Sequence, residues 1–211
     1  MGKPPDARNV MAARVEARDG LDDFPTPCWA TRALIEHVIR PITSAHLHAM
    51  TAWEPAANRG HMVRPLKEYF GSVKATDIAD YGSDYPITDF LSEPSTYGID
   101  WVITNPPFNL AEQFAWRAKT MVPSWKGIAL LTRTSFLEGV GRHQRLFSTF
   151  PPQIVAQFAE RVPMFKGRLT ATGSTATAYC WLVWLARGGE PNLRWIPPCR
   201  RALEKPGDYN E

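Results

Sequence analysis

Apolar residues along this chain fall into two rhythms. Unbroken runs occur at Trp101-Val102-Ile103, in "GIALLT" (residues 127–132) and in "TAYCWLVWLA" (residues 177–186). Such runs, bounded by turn residues, are typical of strands buried on both faces of a sheet. Between them lie stretches with helical spacing. Trp29, Ala33, Ile35 and Val38-Ile39 mark a helix over residues 28–40, and Leu110, Phe114, Ala118 and Met121 mark a second. Thr26 as N-cap with Pro27 at the first helical position supplies the start signal for the first helix. "MTAWEP" reads as a short strand leading into a loop at residues 56–60. A helix through Leu66, Tyr69 and Phe70 then stops at Gly71, before a strand "SVKATDI". A helix over residues 142–150 precedes a strand "QIVAQF", and "LRWI" is short enough to pair at an edge. Strands alternating with helices predict a doubly wound, mostly parallel α/β sheet. The last strands have no helix between them, which predicts an antiparallel hairpin at one edge.

A chain of 211 residues suits one full-sized domain. The pattern divides it into a polar, mobile arm at 1–23, a main domain at 24–190 and a tail at 191–211. A net charge of +3 permits a nucleic-acid partner without demanding one. Cys28, Cys180 and Cys199 are far apart and lack a CxxC partner, so neither a structural zinc site nor a disulfide framework is expected. No stretch is long and apolar enough for a membrane span, and the N-terminus lacks the apolar core of a signal peptide. A reducing, cytoplasmic setting is the expectation. Eight tryptophans leave two readings open, a large core or a stacking surface.

Open α/β sheets bind ligands at the carboxyl ends of their strands. Glu54, Asp77, Asp89 and Asn105 fall at or near such ends. The segment after Asn105 is unusual, because two prolines and an aromatic follow it in "NPPF". Each proline fixes its own φ, lacks an N–H and holds the residue before it extended. The carbonyls of Asn105 and Pro106, with the Asn105 side-chain oxygen, then form a rigid cluster of acceptors beside Phe108. A planar amino group such as the N6 of adenine is a poor nucleophile, because its lone pair is delocalised into the ring. Accepting its N–H bonds at Asn105 Oδ1 and the Pro106 carbonyl favours a tetrahedral nitrogen, and preorganised acceptors meet the developing charge. Phe108 can stack on the base. The plainer alternative is a Pro-Pro pair that merely ends a strand.

Together these residues carry a resemblance. "NPPF" (Asn105, Pro106, Pro107, Phe108) after a buried strand resembles the catalytic motif of the S-adenosylmethionine-dependent N6-adenine DNA methyltransferases. "FPTPCWATRALIEHV" resembles their N-terminal cofactor motif in the gamma arrangement, and "WEPAANRGHM" the first-strand loop in its Glu-Pro-Ala form. "ATDI" and "ITDFL" follow in the family's order, and the likeness runs from Phe24 to about Ala186. It implies a Rossmann-like class I methyltransferase fold with S-adenosylmethionine as cofactor. It further implies cofactor contacts from Thr26, Glu54, Pro55, Ala56, Gly60, Asp77, Ile78, Asp89, Phe90 and Asn105. Glu54 would attract the cofactor's ammonium, Gly60 would let the backbone approach its methionine part, and Asp77 would accept from the ribose hydroxyls. Asp89 and Phe90 would meet its adenine, and Thr26 its carboxylate. An ordinary turn, a solvated acid and a helix cap are the structural alternatives for the loop, Asp77 and Thr26.

The later segment "RVPMFKGRLTATGSTATAYCW" resembles the family's late motif, with Phe165 as the aromatic opposite Phe108 across a flipped base. Lys166 and Arg168 flank Phe165, and Arg133, Arg142 and Arg145 lie in the other loop. They read as a phosphate-contacting lip or as solvated charge. No separate target-recognition domain follows, and the first-strand loop has one glycine where many relatives have more. The expected partner is DNA, with a homodimer or a separate specificity subunit open. The rivals are an rRNA or tRNA adenine methyltransferase, a protein glutamine methyltransferase, and a non-catalytic nucleic-acid-binding subunit.

Overall fold

The computed structural model of the chain describes residues 22–43, 46–94, 98–121 and 125–210. Nearly all of the expected N-terminal arm lies outside them. Among the described residues seven strands form one sheet: β1 (Thr51–Glu54), β2 (Ser72–Ala75), β3 (Trp101–Thr104), β4 (Gly127–Arg133), β5 (Ile154–Phe158), β6 (Tyr179–Leu185) and β7 (Asn192–Ile196). Their spatial order is β2-β1-β3-β4-β6-β5-β7. The pairs β1–β2, β1–β3, β3–β4 and β5–β7 are parallel, while β6 is antiparallel to both β4 and β5. β5 and β6, consecutive in the chain, form the expected antiparallel hairpin, and β7 adds beyond it at the edge, parallel to β5.

The helices are α1 (Cys28–Leu34), α2 (Val63–Leu66), α3 (Ala111–Met121), α4 (Val140–Arg142) and α5 (Arg200–Leu203). Helix α1 continues as a π-helical turn at Ile35–Ile39 and a 3₁₀ turn at Arg40–Ile42, and α4 continues as a π turn at His143–Phe147. The expected start of α1 shifts by one residue. Pro27 is the N-cap, at ψ 135°, and no side chain caps the helix. Thr26 thus lies outside α1, with its hydroxyl free for another partner.

Both faces of the central strands β3, β4 and β6 are buried, which explains their unbroken apolar runs. On one face Ile103, Ala129, Leu131, Trp181 and Val183 pack with Trp29, Leu34, Ile39 and Leu66. On the other, Val102, Ile128, Leu130, Leu182 and Trp184 pack with Phe114, Ala118 and Met121. Trp29, Trp53, Trp101, Trp181 and Trp184 are buried, so the core takes most of the tryptophans, and Trp195 is exposed.

The C-terminal segment read as a tail supplies β7, α5 and a clamp. Arg32, only 3% exposed, donates to both oxygens of Glu68 and both oxygens of Asp208 at 2.6–2.9 Å. Among the described residues no helix is long and apolar enough to cross a membrane.

Candidate functional site

The connection from β1 runs to β2 on one side, while β3 lies on the other. A cleft therefore opens at the carboxyl ends of β1 and β3, as it does in open α/β sheets. It holds about 950 Å³ of open space. Its walls include Thr26, Pro55, Ala56, Asp77, Ile78, Asp89, Phe90, Asn105 and Pro107. The structure thus brings together most of the residues assigned to a cofactor from the sequence, from five separate segments.

Asn105 is the best-defined polar group there. Its Nδ2 donates to the Phe24 carbonyl and to Thr26 Oγ1, each at 3.0 Å. Two acceptors on the nitrogen fix which way round the amide lies. Its Oδ1 is buried and has no partner among the described residues, an arrangement that costs free energy unless something else supplies a donor. Among the described residues no donor takes the Pro106 carbonyl, whereas the Pro107 carbonyl accepts the Leu110 N–H at 2.9 Å. Two acceptors of the expected cluster are therefore unengaged.

Phe108 is not an openly exposed aromatic. It is half-buried, 5.3 Å from the Phe24 ring and 6.3 Å from that of Tyr179, with the Arg133 guanidinium 4.0 Å from its centroid. Its N–H donates to Asp22 Oδ2 at 2.8 Å. Residues 22–26 form a strap across the site, because Asp23 also accepts from Asn58 and Arg59 and its carbonyl accepts the Gly167 N–H.

The other expected residues sort by burial. Glu54 is fully buried and does not line the cleft. Its Oε1 accepts the Ala56 N–H at 2.9 Å and so shapes the loop. Burial pushes its carboxyl up to about 8, with the Thr104 hydroxyl and the Ala56 N–H opposing. Gly60 has φ +85°, and a Cβ there would lie 2.3 Å from Tyr85 Oη. Its close neighbour is thus Tyr85, and it is absent from the cleft wall. Asp77 accepts the Asn58 and Ala79 N–H groups at 2.8 and 3.0 Å, and burial raises its pKa. Asp89 is exposed and caps its own turn, through Leu91 N–H and Ser92 Oγ. Phe90 is buried between Trp53 and Phe114, with one part on the cleft.

The late loop reaches the site through Met164, whose Sδ is 3.9 Å from Asn105 Nδ2, and through Gly167. Phe165 is half-buried and lines no part of the cleft, with Arg168 5.1 Å from its centroid. Lys166 and Arg168 are exposed. Arg145 is held by both oxygens of Glu112, so its charge is already answered.

Sequence reasoning missed Asn58, His61, Tyr81, Leu110 and Phe114, which also line the cleft. Asn58 carried a signal. It has φ +49°, a left-handed conformation that asparagine tolerates, at a loop position where a second glycine was missed. His61 carried none; burial pushes its pKa down to about 4, so it is neutral.

No protein-family model matches the chain, and no curated protein matches it in sequence. Solved structures do resemble it. A protein of Listeria monocytogenes assigned as a class I S-adenosylmethionine-dependent methyltransferase aligns with TM-score 0.59 and 10% identity, over 90% of this chain and 71% of that one. The methyltransferase subunit of a type I restriction-modification system from Streptococcus thermophilus gives 0.60 and 12%, over 89% of this chain and 50% of the subunit. A Pyrococcus horikoshii protein assigned as an RNA methyltransferase gives 0.54 and 12%, over 77% and 86%. The chain spans half the length of the Streptococcus subunit. At these identities the likeness is one of architecture: the chain has the Rossmann-like fold of the class I S-adenosylmethionine-dependent methyltransferases.

Proposed function

We propose that the protein transfers a methyl group from S-adenosylmethionine to the N6 amino group of adenine in DNA. The observation that carries this reading is the Asn105 amide, pinned through its nitrogen with its oxygen buried and unpartnered. Such an oxygen calls for a donor, and an exocyclic NH₂ supplies one.

The residues present fit the cofactor. Asp77 and Asp89 give the cleft acidic walls suited to a cationic ligand, and each carboxylate has acceptor capacity beyond its present hydrogen bonds. Ile78 is 57% exposed on the same wall, an apolar surface that a flat ring can cover. Thr26 accepts from Asn105, and its hydroxyl hydrogen remains to donate to a carboxylate. Glu54 acts on the loop that carries Pro55 and Ala56 and does not reach the ligand. When bound, the cofactor supplies an electrophilic methyl group.

The chain's own residues make the acceptor nitrogen reactive. Asn105 Oδ1 and the Pro106 carbonyl accept its two N–H bonds, which draws the nitrogen toward tetrahedral geometry and frees its lone pair. The same oxygens stabilise the positive charge that grows as the new bond forms. Phe108, held by Phe24, Tyr179 and Arg133, fixes the plane of the base at one edge. Reaching adenine N6 in a duplex requires extruding the base, so single-stranded or distorted DNA reacts more readily. Strap residues Asp22 and Phe24 lie over this route and must shift as the base enters.

Incubation with labelled S-adenosylmethionine and duplex DNA, single-stranded DNA, rRNA or tRNA tests the reading. N6-methyladenine in the DNA digests is the expected product, and label confined to RNA or protein would overturn the substrate.

A further inference from the structure

A second pocket lies beside Phe108 and shares no lining residue with the cofactor cleft. It holds about 470 Å³ of open space, and Thr132, Arg133, Ser135, Phe136 and Arg142 complete its wall. The two arginines converge from different segments. Arg133 ends β4, and Arg142 ends α4. Each guanidinium rests on an aromatic ring, Arg133 on Phe108 and Arg142 on Phe136, both 4.0 Å from the centroid. Arg142 also donates to the Phe136 and Glu138 carbonyls at 2.7 and 2.8 Å.

Neither arginine forms an ion pair among the described residues, in contrast to Arg32, Arg40, Arg59, Arg145 and Arg200. The acid within Arg142's field, Glu112, is engaged by Arg145. Among the described residues, the buried Nε–H groups of both Arg133 and Arg142 have no acceptor. Two cations held in place by rings and carbonyls, with donors left over and no carboxylate, form a preorganised anion site. The fork of a guanidinium matches phosphate oxygens best.

We propose that this pocket binds a phosphodiester of the DNA strand flanking the target adenine, with Arg133 and Arg142 as its ligands. The inference rests on the adenine reading, since Phe108 is shared by the pocket and the NPPF segment. It separates the basic lip into working parts. Arg133 and Arg142 hold the backbone, while Arg145 belongs to an ion pair with Glu112.

The test is equilibrium binding of an adenine-containing single-stranded oligodeoxynucleotide by fluorescence anisotropy. It is run over a range of potassium chloride with S-adenosylhomocysteine present, and with an RNA of the same sequence in parallel. For R133Q and for R142Q the affinity should fall roughly threefold to tenfold at moderate salt. The slope of log affinity against log salt should shrink by about 0.7, the value for one phosphate on a single strand. R142K keeps the charge and the fold and should restore the slope while remaining weaker. R40Q, which removes an exposed cation paired with Glu36 on the first helix, should change neither quantity. An unchanged slope in both R133Q and R142Q would overturn the pocket, as would the same loss in R40Q. Binding of RNA alone would overturn its assignment to DNA, and no binding of either nucleic acid would overturn the site altogether. Arginine-dependent binding of DNA without any N6-methyladenine would keep the pocket and remove the adenine reading.

Discussion

At the scale of single residues, the account turns on how Asn105 is held. Thr26 and Phe24 share the two N–H bonds of its amide. Thr26→Val removes one acceptor while keeping shape, and kcat should fall roughly fivefold to tenfold, one hydrogen bond's worth. Steady-state kinetics at saturating cofactor would show it. Glu54 makes a separate prediction. Its folded-state pKa is pushed from 4.5 to about 8, so between those values the native protein keeps a proton that the unfolded chain releases. Stability from this group therefore falls as pH rises through that window. His61, pushed down to about 4, has the opposite sign: its contribution grows as pH rises from about 4 to 6.5. Thermal melting across roughly pH 5 to 9 should show Glu54→Gln gaining relative stability toward pH 8, and a parallel shift at every pH would contradict the assignment. The acceptor cluster of "NPPF" was open to reading, because proline's lost donor and fixed φ are local properties. The partners of Asn105 were not. They lie about 80 residues away, and Thr26 looked like a helix cap until the helix proved to begin beyond Pro27.

Among elements, the loop between β1 and α2 organises the cleft. Asn58 stands at its turn with φ +49°, its N–H on Asp77 and its Nδ2 on Asp23. Asn58→Val should cost about 1–2 kcal/mol, because a β-branched residue resists the left-handed region. Asn58→Gly should cost less, because glycine adopts the left-handed region without strain and only the side-chain bonds to Asp23 and Arg59 are lost. Chemical denaturation of the two variants would check the order. The central strands were legible because both of their faces are buried and their apolar runs are continuous. Pairing was less so: β6 enters between β4 and β5, and β7 joins β5 in parallel. Proximity in sequence favours a hairpin between β6 and β7, but tertiary burial of both faces of β6 decides the order.

Across the whole molecule, the segment from Asn192 onward closes the structure. Arg32 in α1 binds Glu68 and Asp208 together, tying the first helix to the end of the chain. Asp208→Ala should lower stability by roughly 2–3 kcal/mol, less than the full cost of an orphaned buried charge because Glu68 still pairs with Arg32. Denaturant unfolding would measure it, and a change below about 0.5 kcal/mol would show that the clamp is not structural. This closure bears on the site, since α1 follows directly on Thr26 and the strap. Composition and pattern gave no hint of it, because polar residues near a terminus read as a tail unless a distant buried partner is known. The central claim is that Asn105 Oδ1 activates adenine N6. The most direct measurement is nucleoside mass spectrometry of DNA after reaction with labelled S-adenosylmethionine and either the native protein or Asn105→Ala, with cofactor affinity measured on both. The account predicts N6-methyladenine with the native protein, a loss of at least a hundredfold in the variant, and similar cofactor affinity in both. N6-methyladenine formed equally well without the Asn105 side chain would contradict it.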